Sequence, residues 1–259
     1  MIYLYYGNPA APAPGPASAV WDDGFEAVWH LSEAVVDGGT HVDSTGKGRD
    51  ATLDDPGGLS DASVVGQIGG GDRLKAQPGY GDPVFVHTPG SPLLVATRQR
   101  LTVEGWIRPD VSGQNQTLYG GGHGYAANVG TDLMLTAAGS IRFAGPGTSF
   151  FTILYSAQSY TVGKLQHVAG TWDGSVMRIY LDGVEDSKTA TFAGPIDYAW
   201  GKGAYLGDLY GGGDYNLNGV IDEVRVSSVA RSAAWIATEV ANQGSAGTFL
   251  SVGTEEAAP

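Results

Sequence analysis

The run Gln166 to Gly183, QHVAGTWDGSVMRIYLDG, constrains the fold of this chain more than any other segment. Two β-prone runs flank Asp173-Gly174, and Asp182-Gly183 closes the second of them. An Asp-Gly pair suits a tight hairpin turn, because glycine accepts positive φ and aspartate tolerates it. In the second run Met177, Ile179 and Leu181 alternate with Val176, Arg178 and Tyr180. A period of two marks a strand with one face in a core. Residues 166 to about 190 are therefore expected to form an antiparallel meander.

The same grammar continues along the chain. Short β-prone runs are expected at 25–31, 64–68, 84–87, 101–107, 132–136, 140–144, 151–154, 203–206 and 219–226, with Gly, Pro and Asp between them. Many short strands separated by turn signals point to a sandwich or barrel. The 41 glycines fit, since tight turns need positive φ. Trp29, Trp106 and Trp172 fall in strand motifs and are expected in the core. One helix is expected from Ala233 to Ala241, capped by Ser232 and carrying Trp235, Ile236 and Val240 as its apolar stripe. Residues 8–19, NPAAPAPGPASA, read as a stiff extended linker. A further short β-prone run, 248–252, precedes the acidic end.

Bulk properties exclude several function classes. The net charge of −13 disfavours nucleic acid and anionic membrane surfaces and allows cation binding. The absence of cysteine rules out disulfide and thiolate chemistry. No apolar run approaches the roughly 20 residues of a membrane helix, so no membrane insertion is expected. The five histidines do not cluster at metal-ligand spacing, and no HExxH or GxSxG motif occurs.

The motifs AVWHLSE (27–33), DSTGKGRDAT (43–52), LTVEGWIRP (101–109), QHVAGTWDGSVMRIYLDG (166–183), NGVIDEVRV (218–226) and RSAAWIATEVANQ (231–243) resemble, in order and spacing, a bacterial laminin-G-like domain of the concanavalin A-like lectin/glucanase superfamily. The resemblance covers about residues 25–245 and implies an all-β jelly-roll sandwich of two antiparallel sheets with one short C-terminal helix. Residues 1–24 resemble the tail of a bacterial domain of unknown function followed by the Pro/Ala-rich linker. On that resemblance the laminin-G-like domain spans 25–259 and Met1 lies inside a longer secreted or surface protein, whose signal sequence is elsewhere.

Three sets of residues are candidates for chemistry. In VIDEVRV, alternation places Asp222 with Val220, Val224 and Val226 on one face, and Ile221, Glu223 and Arg225 on the other. A carboxylate among valines is costly unless a cation or several donors satisfy it. Calcium is one reading; a carboxylate capping backbone N–H groups is the other. The family resemblance implies a structural calcium held by Asp222 and Asp43, with backbone carbonyls of Gly46 or Gly48. Glu223 and Arg225 read as a solvated surface pair. Superfamily glucanases carry Glu-x-Asp-x-Glu on one strand, which sets two carboxyls about 5 Å apart on one face. Here Val220 and Val224 stand where the glutamates would, so no enzyme activity is expected. Finally, Tyr119, His123 and Tyr125 in one Gly-rich segment, and Trp200, Tyr210, Asp214, Tyr215 and Asn216 in another, offer rings and polar groups of the kind that bind sugars at a loop rim. The expected function is a non-catalytic, calcium-braced module for glycan or surface-protein recognition, monomeric within a larger extracellular bacterial chain. A structural spacer without a ligand is the alternative, and a polysaccharide-active enzyme the third.

Overall fold

The computed structural model describes residues 16–21, 24–55, 57–58, 60–75, 85–88, 99–121, 130–146, 151–193, 203–209 and 215–245. Two eight-stranded antiparallel sheets pack face to face. The first contains β1 (Phe25–Trp29), β4 (Asp61–Ile68), β5 (Gly70–Lys75), β7 (Leu101–Pro109), β12 (Gln166–Trp172), β13 (Val176–Leu181), β14 (Val184–Thr191) and β16 (Asn218–Ser227). The second contains β2 (Thr40–His41), β3 (Ala51–Asp54), β6 (Phe85–His87), β8 (Gln116–Gly121), β9 (Thr131–Leu135), β10 (Ser140–Pro146), β11 (Phe151–Ser159) and β15 (Ala204–Leu206). The first runs β14-β13-β12-β7-β16-β5-β4 with β1 also on β16, and the second β11-β10-β9-β8-β15-β6-β3-β2. One helix, α1 (Ala233–Gly244), follows β16. This is the jelly-roll sandwich expected from the sequence.

The meander forms as its turns dictate. Asp173 Oδ1 accepts from the N–H groups of Ser175 and Val176 at 3.0 and 2.8 Å, and Gly174 takes φ +103°. Asp182 and Gly183 both take positive φ, +49° and +81°, as the tightest hairpin turn requires. Between the sheets, Trp29, Trp172, Tyr119 and Phe143 are almost wholly buried. Phe143 of β10 fills the hollow above Gly170 of β12, where a Cβ would stand 2.5 Å from the ring. Burying one such aromatic contributes on the order of 2–3 kcal/mol.

β16 departs from simple alternation. Its pairing with β7 shifts register between Asp222 and Arg225, and Glu223 sits at φ +52°. The bulge lies where β16 changes neighbour, from β5 at residues 218–221 to β1 at 224–227. It reverses the parity read from VIDEVRV. Ile221, Val224 and Val226 face the core between the sheets, while Asp222 faces outward and does not share the face of Val224 and Val226.

That outward face is not solvated, because α1 roofs it. Ser232 caps the helix by accepting from the Trp235 N–H at 3.2 Å, as expected. Ile236 packs on Ala169 and Tyr180, and Trp106 Nε1 donates to Gln243 at the far end of the helix. β7 and β12 are consequently buried on both faces, nearly throughout for β7. One expectation changes as a result: Glu223 and Arg225 are 2% and 6% exposed, not a surface pair. Trp106 is buried as expected, on the helix side of the sheet, and Gln243 is buried with Ile236. At the other end of the chain, Ala17–Val20 form a short 3-10 helix inside the segment read as linker, and Trp21 packs edge-on against Phe25.

Candidate functional site

α1 lies on the outer face of the first sheet, and among the described residues no helix lies on the second. Cα register partners form one transverse row across it: Ile153, Ala144, Asp132, Gly120, Tyr205, His87, Thr52 and Thr40. A second row runs Tyr155, Arg142, Met134, Thr117. The alternating residues, Phe143, Leu133, Val86 and Leu53 among them, are in the core, which fixes these rows as outward. Leu209 crosses the face above Gly120, its carbonyl oxygen 2.3 Å from where a Cβ would stand. On this face Asp132, Ala144, Met134 and Thr117 are 0–1% exposed, whereas Tyr155 at the β11 end is 45% exposed.

A depression of about 400 Å³ lies at that end, lined by Tyr155, Arg142, Met134 and Asn115 beside the β9–β10 turn. Each wall is held from below. The turn is fixed by Gly139 at φ +91°, by the Ala137 N–H donating to Asn115 at 2.8 Å, and by the Tyr160 hydroxyl donating to the Thr136 carbonyl at 2.9 Å. Arg142 Nη2 donates to the fully buried carboxylate of Asp132 at 2.8 Å, which locks the guanidinium plane. Arg142 Nε is buried without a hydrogen-bond partner. Tyr155 is 45% exposed. Its strand bulges just beyond it, at residues 156–158, where Ser156 Oγ accepts from the Ile141 N–H and Asp186 of β14 accepts from Ala157 and Gln158. An exposed ring beside a guanidinium held by a buried carboxylate offers a flat apolar face to stack on and a donor for hydroxyl oxygens.

The predicted rim residues divide three ways. His123, Tyr125, Trp200, Tyr210 and Asp214 lie outside the described residues. Tyr119 is on β8, not in a loop, and its ring is wholly buried in the core, so it is no rim residue. Tyr215 is 40% exposed at φ +64°, and its carbonyl accepts from Thr117 N–H and Oγ1 at 2.9 and 3.0 Å. Its backbone thus abuts the end of the Tyr155 row; Asn216 beside it is 8% exposed. Tyr155, Arg142 and Met134 were not singled out from the sequence. Their signal is faint: SIRFA and TILYS each place a large or charged residue on the polar phase of an alternating run.

Asp43 and Asp222 are both buried, at 4% and 0% exposure, but β1 separates Asp43 from β16. Asp43 Oδ1 accepts from the N–H groups of Val28 and Thr45 at 3.1 and 3.0 Å; Oδ2 accepts from Arg49 N–H at 3.2 Å and Thr45 Oγ1 at 2.7 Å. This is a cradle of donors. Asp222 Oδ2 accepts from the Gln67 and Ile68 N–H groups at 2.5 and 3.0 Å, across Gly66 and Gly71, whose missing side chains make the room. Burial, reinforced by neighbouring Glu223, raises the Asp222 carboxyl to about 7 against the pull of those N–H groups. Gly46 and Gly48 lie at φ +73° and +70°, and the Gly46 N–H closes a turn on the Asp43 carbonyl. Among the described residues no three His, Asp or Glu side chains converge on a metal position. Asp43 is thus satisfied by protein donors, whereas Asp222 Oδ1 is buried without a hydrogen-bond partner.

Solved structures with the same architecture are numerous, at identities that speak for fold alone. Domain 4 of AbnA, an extracellular GH43 arabinanase from Geobacillus stearothermophilus solved in complex with arabinotriose, superposes with TM-score 0.62 at 19% identity, over 84% of this chain and 98% of that one. The binding domain of Paraclostridial Mosquitocidal Protein 1 gives 0.62 at 14% identity, over 84% of this chain and 52% of that. The Botulinum neurotoxin serotype D binding domain gives 0.59 at 17%, over 88% and 53%. The chain thus spans about half of each toxin domain. No curated protein sequence matches it. The sequence profile of Laminin_G_3, described as the concanavalin A-like lectin/glucanases superfamily, matches residues 80–237. That span exceeds half of the 259 residues and runs from β6 into α1, so the chain belongs to this family.

Proposed function

We propose that this chain is a non-catalytic glycan-recognition module of a larger secreted or surface protein, and that it binds sugar on the outer face of β9, β10 and β11. The observation that carries the reading is the pairing of an exposed Tyr155 with Arg142, whose guanidinium is held rigid by buried Asp132. A sugar ring stacks on the tyrosine, and Arg142 donates to its hydroxyls. Preorganisation of this kind lowers the ordering cost of binding. The arabinotriose complex of the arabinanase domain supports a glycan, and the two toxin structures being binding domains supports a binding role. The Asp43 loop is braced by the carboxylate's own set of N–H donors. No helix of the described residues is long and apolar enough to cross a membrane.

The test is a glycan array followed by calorimetric titration of the best oligosaccharide. Tyr155→Ala is expected to weaken binding roughly tenfold, the loss of one stacking contact of about 1–1.5 kcal/mol. Its melting temperature should stay near that of the parent. Binding unaffected by Tyr155→Ala and by Arg142→Lys would remove this face as the site. No bound glycan at all would favour a spacer role.

A further inference from the structure

Glu104 of β7 lies on the outer face of the first sheet, beneath α1, with 1% exposure. Its register neighbours are Ala169 on β12 and Arg225 on β16. Neither carboxyl oxygen has a hydrogen-bond partner. From β12, His167 Nε2 stands 3.6 Å away, beyond hydrogen-bond reach. From β16, Arg225 is engaged elsewhere: Nη2 with Glu223 at 2.5 Å, and Nη1 with Glu239 of α1. Glu223 also holds His30 Nδ1 at 2.6 Å, and Asp222 lies next to it on the strand. Just before α1, Arg231 stacks over the rings of Phe25 and Trp235 at 4.4 and 4.6 Å. From β13, Tyr180 directs its hydroxyl to Glu185. In this layer Arg225 is engaged by Glu223 and Glu239, and His30 by Glu223, and none of them bonds Glu104. An ionised Glu104 would be a buried charge with no hydrogen-bond donor to receive it.

We propose that α1 is a pH-responsive latch on the first sheet, closed over Glu104 while that carboxyl keeps its proton and loosened, ahead of the sandwich itself, once the proton leaves. Lifting the helix admits water to the carboxylate, which is the one relief the layout offers. Burial, opposed by Arg225 and Arg231, pushes the Glu104 carboxyl up to about 7. Burial, aided by Arg225, holds His167 down to about 3, so the imidazole is neutral and supplies no counter-charge. A folded value raised above the ordinary 4.5 means that the contribution of Glu104 is full below about 4.5 and is lost as pH rises through about 7. His167 acts in the opposite sense: its contribution is present above 6.5 and is lost on acidification towards about 3, outside the window of interest. His30 is raised, chiefly by its bond to Glu223, and its contribution also falls with rising pH, so a variant at Glu104 itself is needed.

Hydrogen exchange of the α1 amides, corrected for intrinsic rate, reads the latch directly. In the intact chain the opening constant of residues 236–243 should rise about tenfold between pH 6 and pH 8.5, from one carboxyl moving from about 7 to about 4.5 on opening. Amides of β9 and β10 should keep their protection. Asp222, also raised to about 7 under the same roof, titrates in the same window and sense, so Glu104→Gln should lower the α1 response by the Glu104 share, and Asp222→Asn should leave that share in place. Should Glu104→Gln fail to fold, a 13C titration of the Glu104 carboxyl in the parent decides, with a midpoint near 7 tracking α1 opening. A pH-independent α1, an unchanged response in Glu104→Gln, or a carboxyl midpoint near 4.5 would each overturn the proposal.

Discussion

Individual side chains do two kinds of work in this sandwich, packing at glycine hollows and gathering N–H groups on carboxylates. Gly170 shows the first. A methyl there would meet the Phe143 ring at 2.5 Å, in the layer where the sheets interlock. Gly170→Ala should therefore cost about 1–3 kcal/mol, read as a lower urea midpoint at unchanged slope. Asp43 shows the second. Removing its carboxylate strands the N–H groups of Val28, Thr45 and Arg49, so Asp43→Ala should cost about 1–3 kcal/mol. The melting temperature of the parent chain should be the same in calcium and in chelator. A clear rise with calcium would contradict the donor-cradle account. Asp43 and Asp222 stood out in the sequence as acids in apolar or Gly-rich settings. For Asp222, capping of N–H groups was one of two readings there; which N–H groups was not legible, because Gln67 and Ile68 lie far from it along the chain.

Elements whose own turns and alternation specify them were legible: the β12–β13–β14 meander, β7, β16 and α1 with its Ser232 cap. Elements made by their partners were not. β5 reads GGDRLK and β8 reads QTLYGG, both turn-like in composition, yet both are strands because neighbours on either side complete their ladders. Misreading β8 as a loop is what placed Tyr119 at a rim. The bulge in β16 was equally hidden, since a non-glycine residue at positive φ leaves no compositional mark; it sent Asp222 to the opposite face from Val224 and Val226. The β11 edge is pinned by Asp186 across the sheets, which accepts from Ala157, Gln158 and Lys188 N–H groups. Asp186→Ala should speed hydrogen exchange at 157 and 158 by tenfold or more, and soften glycan binding by loosening the Tyr155 strand. Unchanged exchange there would show that the bulge holds itself.

At the scale of the whole molecule, the two outer faces differ in kind. The first sheet carries a helix over a layer of buried charge, and the second exposes Tyr155 on β11 beside Arg142. That exposed ring is why the proposed site is assigned to the second sheet. The fold class was legible in the sequence because strand spacing and turn chemistry are local. The proposed site was not, because the Tyr155–Arg142 pairing depends on the register of β10 and β11. The most direct test of the central claim is a 15N–1H NMR titration of the chain with a panel of neutral oligosaccharides, arabinotriose among them. The account predicts that a binding sugar shifts the amides of Met134, the β9–β10 turn, Arg142 and Tyr155, and leaves those beneath α1 in place. Shifts confined to the α1 side, or none with any sugar in the panel, would contradict it.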